Sequence, residues 1–177
     1  MSITIRQCDE RDLAPATINR LLELINAVYE ETENDLWKPT TSGRTFFAEI
    51  EGFVKERQMF ISFEYYELVG AFKFTPVDQK TLEFGMLAAD IKMRGKGLGR
   101  DFVNIVENYA RDNSYSIMQL ELLTPRHWKN PAKEFLKGWY SRLGYVPEKI
   151  MPFEEVSPHR MEEFATDCDF TVWLKTL

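Results

Sequence analysis

One stretch constrains the fold of this chain more than any other. Residues 94–100 read Arg94-Gly95-Lys96-Gly97-Leu98-Gly99-Arg100. The alternating segment Thr81–Ala89 before it reads as a strand. After it, Leu98, Phe102, Ile105, Val106 and Tyr109 fall at helical spacing. The glycines therefore join a strand to a helix. The first turn of a helix leaves backbone N–H groups without internal partners, and these attract anions. Glycine lets the backbone approach a phosphate because no Cβ intervenes. Arg94, Lys96 and Arg100 add positive charge on the same side. The segment is expected to cradle a phosphate-bearing ligand.

Rival patterns fit less well. The P-loop needs Gly-x-x-x-x-Gly-Lys-Ser/Thr, and the dinucleotide fingerprint needs Gly-x-Gly-x-x-Gly. Here the glycines stand at 95, 97 and 99. Glu121 lies about 20 residues on, where a dinucleotide fold places its ribose-binding acid. It sits inside an expected strand, however, and the turn follows an antiparallel meander. The bland alternative is a glycine-rich connection with exposed cations.

The rest of the chain alternates helix and strand patterns. Ser2–Gln7 reads as a strand. Asp12–Thr32 carries Ile18, Leu21, Leu22, Ile25 and Val28 at helical spacing, and Phe46–Val54 marks a second helix. Strands are expected at Met59–Tyr65, Leu68–Thr75 and Thr81–Ala89, with turns at Tyr66-Glu67 and at residues 76–79. A strand at Ile117–Leu123 precedes a helical stripe of Phe135, Leu136, Trp139, Tyr140 and Leu143, ended by Gly144. Weaker strands fall near Lys149–Phe153 and Phe170–Leu174, with a short helix near Pro158–Phe164. The order is β-α-α-β-β-β-α-β-α-β-β, an α/β fold with a mixed, mostly antiparallel central sheet flanked by helices. A single domain over residues 1–177 is expected.

Composition narrows the function. A formal net charge of -6 without a long basic run argues against a nucleic-acid surface. Cys8 and Cys168 lie near opposite ends, and the histidines are His127 and His159 alone. No metal-ligand spacing surrounds them, and two free thiols fit a reducing compartment. No apolar leader or 18-residue apolar run occurs. The expectation is a cytoplasmic protein, monomeric or homodimeric, with no metal, membrane or nucleic-acid partner.

Three segments together resemble a known family. Arg94, Gly97 and Gly99 match the Arg/Gln-x-x-Gly-x-Gly/Ala pattern of GNAT-type N-acetyltransferases. The strand Glu83–Ala89 resembles the family's acetyl-CoA strand, and Trp139–Tyr145 resembles its Tyr-x-x-x-Gly-Phe/Tyr segment. The element order also matches along almost the whole chain. The resemblance implies acetyl-CoA as donor and a small-molecule or peptide amine as acceptor, with direct transfer in a ternary complex. It implies that the main chain of Leu87, Ala88 and Ala89 holds the pantetheine arm. The amides of Arg94, Gly95, Lys96, Gly97, Leu98, Gly99 and Arg100 would hold the pyrophosphate. Family members commonly use an asparagine after the next strand. Asn130 is the candidate here, while Lys133 occupies the usual interval before the tyrosine.

The resemblance also points to the catalytic groups. Glu83 stands eleven residues before Arg94, an interval some members use for a catalytic glutamate. Burial in an apolar strand favours a carboxylate's protonated form, which suits a base at neutral pH; the alternative is an edge carboxylate or a salt bridge. Tyr140 matches the family tyrosine and is the candidate acid for the departing thiolate; the alternative is a core aromatic. A backbone N–H near Leu87 would polarise the thioester carbonyl. Cys168 has no flanking histidine, so an acyl-cysteine is not expected.

The acceptor is less legible. Residues 29–45 would cross the substrate groove, carrying Glu30, Glu31, Glu33 and Asp35 before Trp37. Acids beside an aromatic suit a cationic amine, although such charge runs also occur as solvated helix ends. His127 and Trp128 would line the same groove without an assigned role. The tail, Phe153–Asp169, would either cover the site or close the sheet. A non-catalytic acyl-CoA-binding sensor on the same scaffold stays open.

Overall fold

The computed structural model describes residues 3–39 and 43–177. Its strands are β1 (Ile3–Gln7), β2 (Met59–Glu64), β3 (Glu67–Pro76), β4 (Thr81–Ala89), β5 (Ile117–Pro125), β6 (Val146–Pro152) and β7 (Cys168–Thr176). The helices are α1 (Pro15–Glu33), α2 (Phe47–Lys55), α3 (Leu98–Asp112), α4 (Pro131–Arg142) and the single turn α5 (Phe153–Val156). The strands form one mixed sheet in the order β1-β2-β3-β4-β5-β7-β6. All neighbours run antiparallel except β4 and β5, which run parallel.

Local chemistry places most boundaries. The first helix, expected from Asp12, starts at Pro15, whose fixed φ suits a helix's first position. Residues Glu10–Leu13 form a separate 3-10 turn, held by a capping box between Asp9 and Asp12. The first hairpin turns at Tyr65-Tyr66, one residue earlier than expected, with Tyr65 at φ 57°. Ser2, expected to open the first strand, lies outside the described residues. The Pro158–Glu163 segment is 3-10 instead of α-helical.

The sheet separates two apolar layers. Beneath α1 and α2 lie Ile18, Leu21, Ile25, Ile50, Ile61, Ala71 and Ala88. Phe72, Phe84, Phe102, Val106 and Tyr145 pack on the side of α3 and α4. Adjacent residues Ala71 and Phe72 thus serve opposite layers, as the two-residue period of a strand requires.

The period breaks once in β4, and the break matters for the site. Lys73 pairs with Gly85 and Ala71 with Ala88, so β4 carries one extra residue. Met86 absorbs the bulge at φ 51°. Before it, Leu82 and Phe84 face the α3 layer; after it, Leu87 and Ala89 do so, while Ala88 faces α1. A one-residue slip exchanges the two faces of a strand.

Candidate active site

The parallel pairing of β4 and β5 is short. It joins Thr81 to Ile117, Leu82 to Met118 and Glu83 to Gln119, and then stops. Strand β5 continues on its other side against β7 as far as Pro125. Beyond Glu83 the two strands therefore part, and β4 leaves the backbone groups of its second half without a ladder on that side. A cavity of ≈ 280 Å³ opens there, lined by Tyr29, Glu83, Leu87, Glu121, Lys133 and Tyr140 among others.

Glu83 sits at the fork. Its carboxylate accepts a hydrogen bond from Gln119 Nε2 at 2.9 Å and faces Lys73 Nζ at 3.7 Å. The apolar surroundings expected for it are absent, because the cross-strand neighbours Lys73 and Gln119 bring polar groups to the same place. Glu121, two residues beyond Gln119, lines the same cavity. Its carboxyl is held above the usual carboxylate range, first by loss of water and then by the nearby charge of Glu83. The sequence, where Glu121 entered only through a dinucleotide pattern set aside on context, did not reveal this pair of carboxylates.

Tyr140 is 7% exposed and packs edge-on to Phe84 at 6.2 Å and Tyr145 at 6.1 Å. It belongs to the apolar stripe of α4 and also lines the cavity. Burial pushes its phenol well above the ordinary tyrosine range, with a smaller contribution from Tyr29. Tyr29 itself is raised to about 12 by burial. Tyr140 therefore keeps its proton at neutral pH, as a proton donor must.

The glycine turn connects the cavity wall to α3. Gly95 and Gly97 have φ 77° and 86°, and a Cβ at either would meet nothing within 4 Å. Their conformation, not crowding, calls for glycine. Gly97 is the N-cap of α3 and no side chain caps that helix. The first intrahelical bond runs from Asp101 N to Gly97 O. The amides of Leu98, Gly99 and Arg100 precede it and remain available to a ligand. Gly99 lies against the Trp139 ring. An open, uncapped helix start with left-handed glycines fits a pyrophosphate. The flanking charges are less free than expected: Arg94 pairs with Glu31 at 2.8 Å, and Lys96 approaches Glu64 at 4.0 Å.

Two groups expected at the site already have partners within the fold. Asn130, expected at the cofactor, is buried as the N-cap of α4. Its oxygen accepts from Lys133 N at 3.1 Å and its amide donates to Thr32 O at 3.4 Å, so both ends are engaged in structure. In the acidic run ahead of Trp37, two of the four acids are already engaged. Glu33 is 2% exposed, ion-paired to the equally buried Lys133, and accepts from Trp37 Nε1 at 2.9 Å. Glu31 holds Arg94, and Asp35 faces solvent. Trp37 stacks on Phe164 at 4.0 Å and beneath Arg160 at 4.8 Å, so its ring is occupied. Residues 40–42 of that loop lie outside the described residues.

Of the tail Phe153–Asp169, only Cys168 and Asp169 enter the sheet, at the start of β7. Strand β7 inserts between β5 and β6, closing the sheet. Ahead of it, Phe153 and Phe164 pack with Leu36 and Leu123, walling one end of the cavity. His127 and Trp128 do not line the cavity. They contact Asp167 at 3.3 Å and Thr166 at 3.3 Å on the exposed side of the tail. Cys168 is buried, and burial lifts its thiol to about 12, which favours the protonated thiol at neutral pH. Among the described residues no group of His, Cys, Asp and Glu is arranged to hold a metal ion, and no helix is long and apolar enough to cross a membrane.

Comparison with known proteins agrees with this architecture. Residues 18–145 match the family model described as Acetyltransferase (GNAT) family. No curated protein matches the chain. An aminoglycoside 6'-N-acetyltransferase, solved with coenzyme A, superposes with TM-score 0.70 at 16% identity over 99% of this chain and 97% of its own. An N-acetyltransferase from Staphylococcus aureus Mu50 gives 0.70 at 16% over 99% and 98%. The yncA protein of Salmonella typhimurium, solved with its cofactor acetyl-CoA, gives 0.68 at 20% over 100% and 95%.

Proposed function

The chain belongs to the acetyltransferase (GNAT) family, and from that premise we propose that it transfers an acetyl group from acetyl-CoA to the primary amine of a small molecule or peptide, directly and in a ternary complex. The observation that carries this reading is the parting of β4 from β5 at Glu83, beside the uncapped glycine turn. Solved structures of similar fold carry coenzyme A or acetyl-CoA. The main chain of Leu87, Ala88 and Ala89 would hold the pantetheine arm. The amides from Gly95 to Arg100 would hold the pyrophosphate, with Arg100 adding charge. Asn130 is not retained as a contact.

Acetyl-CoA supplies the activated acyl group; the residues of the chain manage protons and charge. Glu83, directly or through water, takes a proton from the acceptor ammonium, freeing its lone pair. The nitrogen then bonds to the acyl carbon. The Leu87 N–H, at the bulge and without a register partner on β3, is the candidate donor to the carbonyl oxygen. As the C–S bond breaks, Tyr140 gives its proton to the sulfur, the nitrogen sheds its second proton to solvent, and Tyr140 recovers one from solvent while Glu83 releases its own. The net products are the amide, free thiol and one released proton.

The test is thiol release from acetyl-CoA against a panel of primary amines. Turnover on at least one class, saturable in both substrates, is the expected result. Coenzyme A binding with no turnover on any amine would favour the non-catalytic sensor instead.

A further inference from the structure

We propose that the acceptor carries an acid group as well as its amine, and that Arg44 receives that acid. The inference rests on the transfer reading above. It starts from the charges lining the cavity. Lys133 is paired with Glu33, Lys73 with Glu83, and Arg160 with Glu163. Arg44 lines the same cavity, and no acid stands within ion-pairing distance of it among the described residues. It is half-buried. A charge taken partly out of water calls for a counter-charge or hydrogen-bond acceptors.

Arg44 is also built into place. Asn26 of α1 accepts from Arg44 N at 2.8 Å and from Thr45 N at 3.0 Å, and donates to Thr45 O at 3.1 Å. This clamps the backbone of Arg44 to the helix. One turn along α1, Tyr29 places its ring under the guanidinium, 5.3 Å from centroid to Cζ. Cation–π contact fixes the group without neutralising it. A guanidinium offers paired donors that match a carboxylate or a phosphonate.

The opposite charge in the cavity is also in surplus. Glu83 is shared with Lys73 and Gln119, while Glu121 forms no ion pair among the described residues. A zwitterionic acceptor answers both needs, with its acid on Arg44 and its ammonium toward Glu83 and Glu121. Amino acids and aminoalkylphosphonates share that chemistry. A polyamine or an aminoglycoside-like polycation would instead leave Arg44 facing like charge.

The experiment compares common α-amino acids with their α-carboxamides, and aminoalkylphosphonates with simple alkylamines. Calorimetric titration into protein saturated with coenzyme A reads binding; thiol release reads transfer. Acid-bearing amines should bind at least about tenfold tighter than their neutral counterparts, the scale of a hydrogen bond to a charged partner. Arg44→Gln should erase that preference, and Arg44→Lys should restore part of it. Unchanged coenzyme A affinity in both variants shows that they fold. The carboxylate and phosphonate arms identify which anion fits. Equal binding of acids and amides, or an equal loss for both in Arg44→Gln, would overturn the inference. A binding preference without thiol release on any amine would uphold Arg44 as the receptor for an amine's acid group and overturn the transfer reading alone.

Discussion

At the scale of single residues, the proposed chemistry rests on Tyr140 and Glu83, which line one cavity. Tyr140 is kept neutral by burial, so Tyr140→Phe removes a proton and little volume. Turnover should fall about 10²- to 10⁴-fold, the usual worth of a positioned acid, while acetyl-CoA affinity stays near its original value. Single-turnover kinetics beside coenzyme A titration separates the two; unaltered turnover would exclude Tyr140 from the chemistry. Glu83 is tied electrostatically to Glu121. Glu83→Gln should lower turnover across neutral pH. It should also bring the Glu121 carboxyl back down toward its ordinary range, because a like charge has been removed. Carbon-detected NMR titration of Glu121 reports that shift, and a Glu121 titration indifferent to the substitution would show the two acids to be uncoupled. Both candidates came from the family resemblance, Glu83 through its eleven-residue interval to Arg94 and Tyr140 through the Trp139–Tyr145 segment. Their environments were not legible in the sequence, since Gln119 reaches Glu83 from 36 residues away.

At the scale of elements, α1 and α4 are locked by a buried ion pair. Lys133 and Glu33, 4% and 2% exposed, join residues 100 positions apart, and Trp37 adds a hydrogen bond to the same carboxylate. Removing one partner strands the other charge in a dry place. Lys133→Met should therefore cost about 3–5 kcal/mol, and the double substitution Lys133→Met with Glu33→Gln should recover most of it. Urea denaturation measures both; additive losses in the double variant would show that the two side chains stand independently. The pair also takes Glu33 out of the acidic run before Trp37. Its composition suited a cationic ligand, but the cation that uses Glu33 is an internal one. Lys133 stands seven residues, about two helical turns, before Tyr140, so sequence spacing puts both on one face of α4. Nothing in the sequence says that its partner lies on α1. The bulge in β4 is similarly hidden: Met86 adopts left-handed backbone without being a residue type that favours it.

At the scale of the whole molecule, buried acids of high pKa accumulate. Tyr29 and Cys168 are each raised to about 12, and Tyr140, Tyr145, Tyr109 and Cys8 are raised as well, all mainly by burial. Each holds its proton more tightly folded than unfolded. Above the unfolded values, near 8.5 for cysteine and 10 for tyrosine, the unfolded chain binds fewer protons. Stability should then fall as pH rises, beginning at about pH 9 and steepening above about pH 10. Thermal melts from pH 7 to 11 measure it, and a midpoint flat through that interval would contradict the burial of these groups.

The amino-acid sequence alone determined most of the elements and where the phosphate-bearing donor is proposed to sit. Periodicity marks strand and helix because each buries one face at its own repeat, and the glycine turn announces an anion cradle through backbone freedom that few residues possess. The tertiary structure alone decided the strand order, with β7 between β5 and β6, and the parting of β4 from β5. It alone brought Glu121 to Glu83, gave Lys133 to Glu33, and left Arg44 without an acid partner among the described residues. These are contacts between segments far apart in the chain. Local propensity carries no information about which distant charge will meet which, because that is settled by how the layers pack.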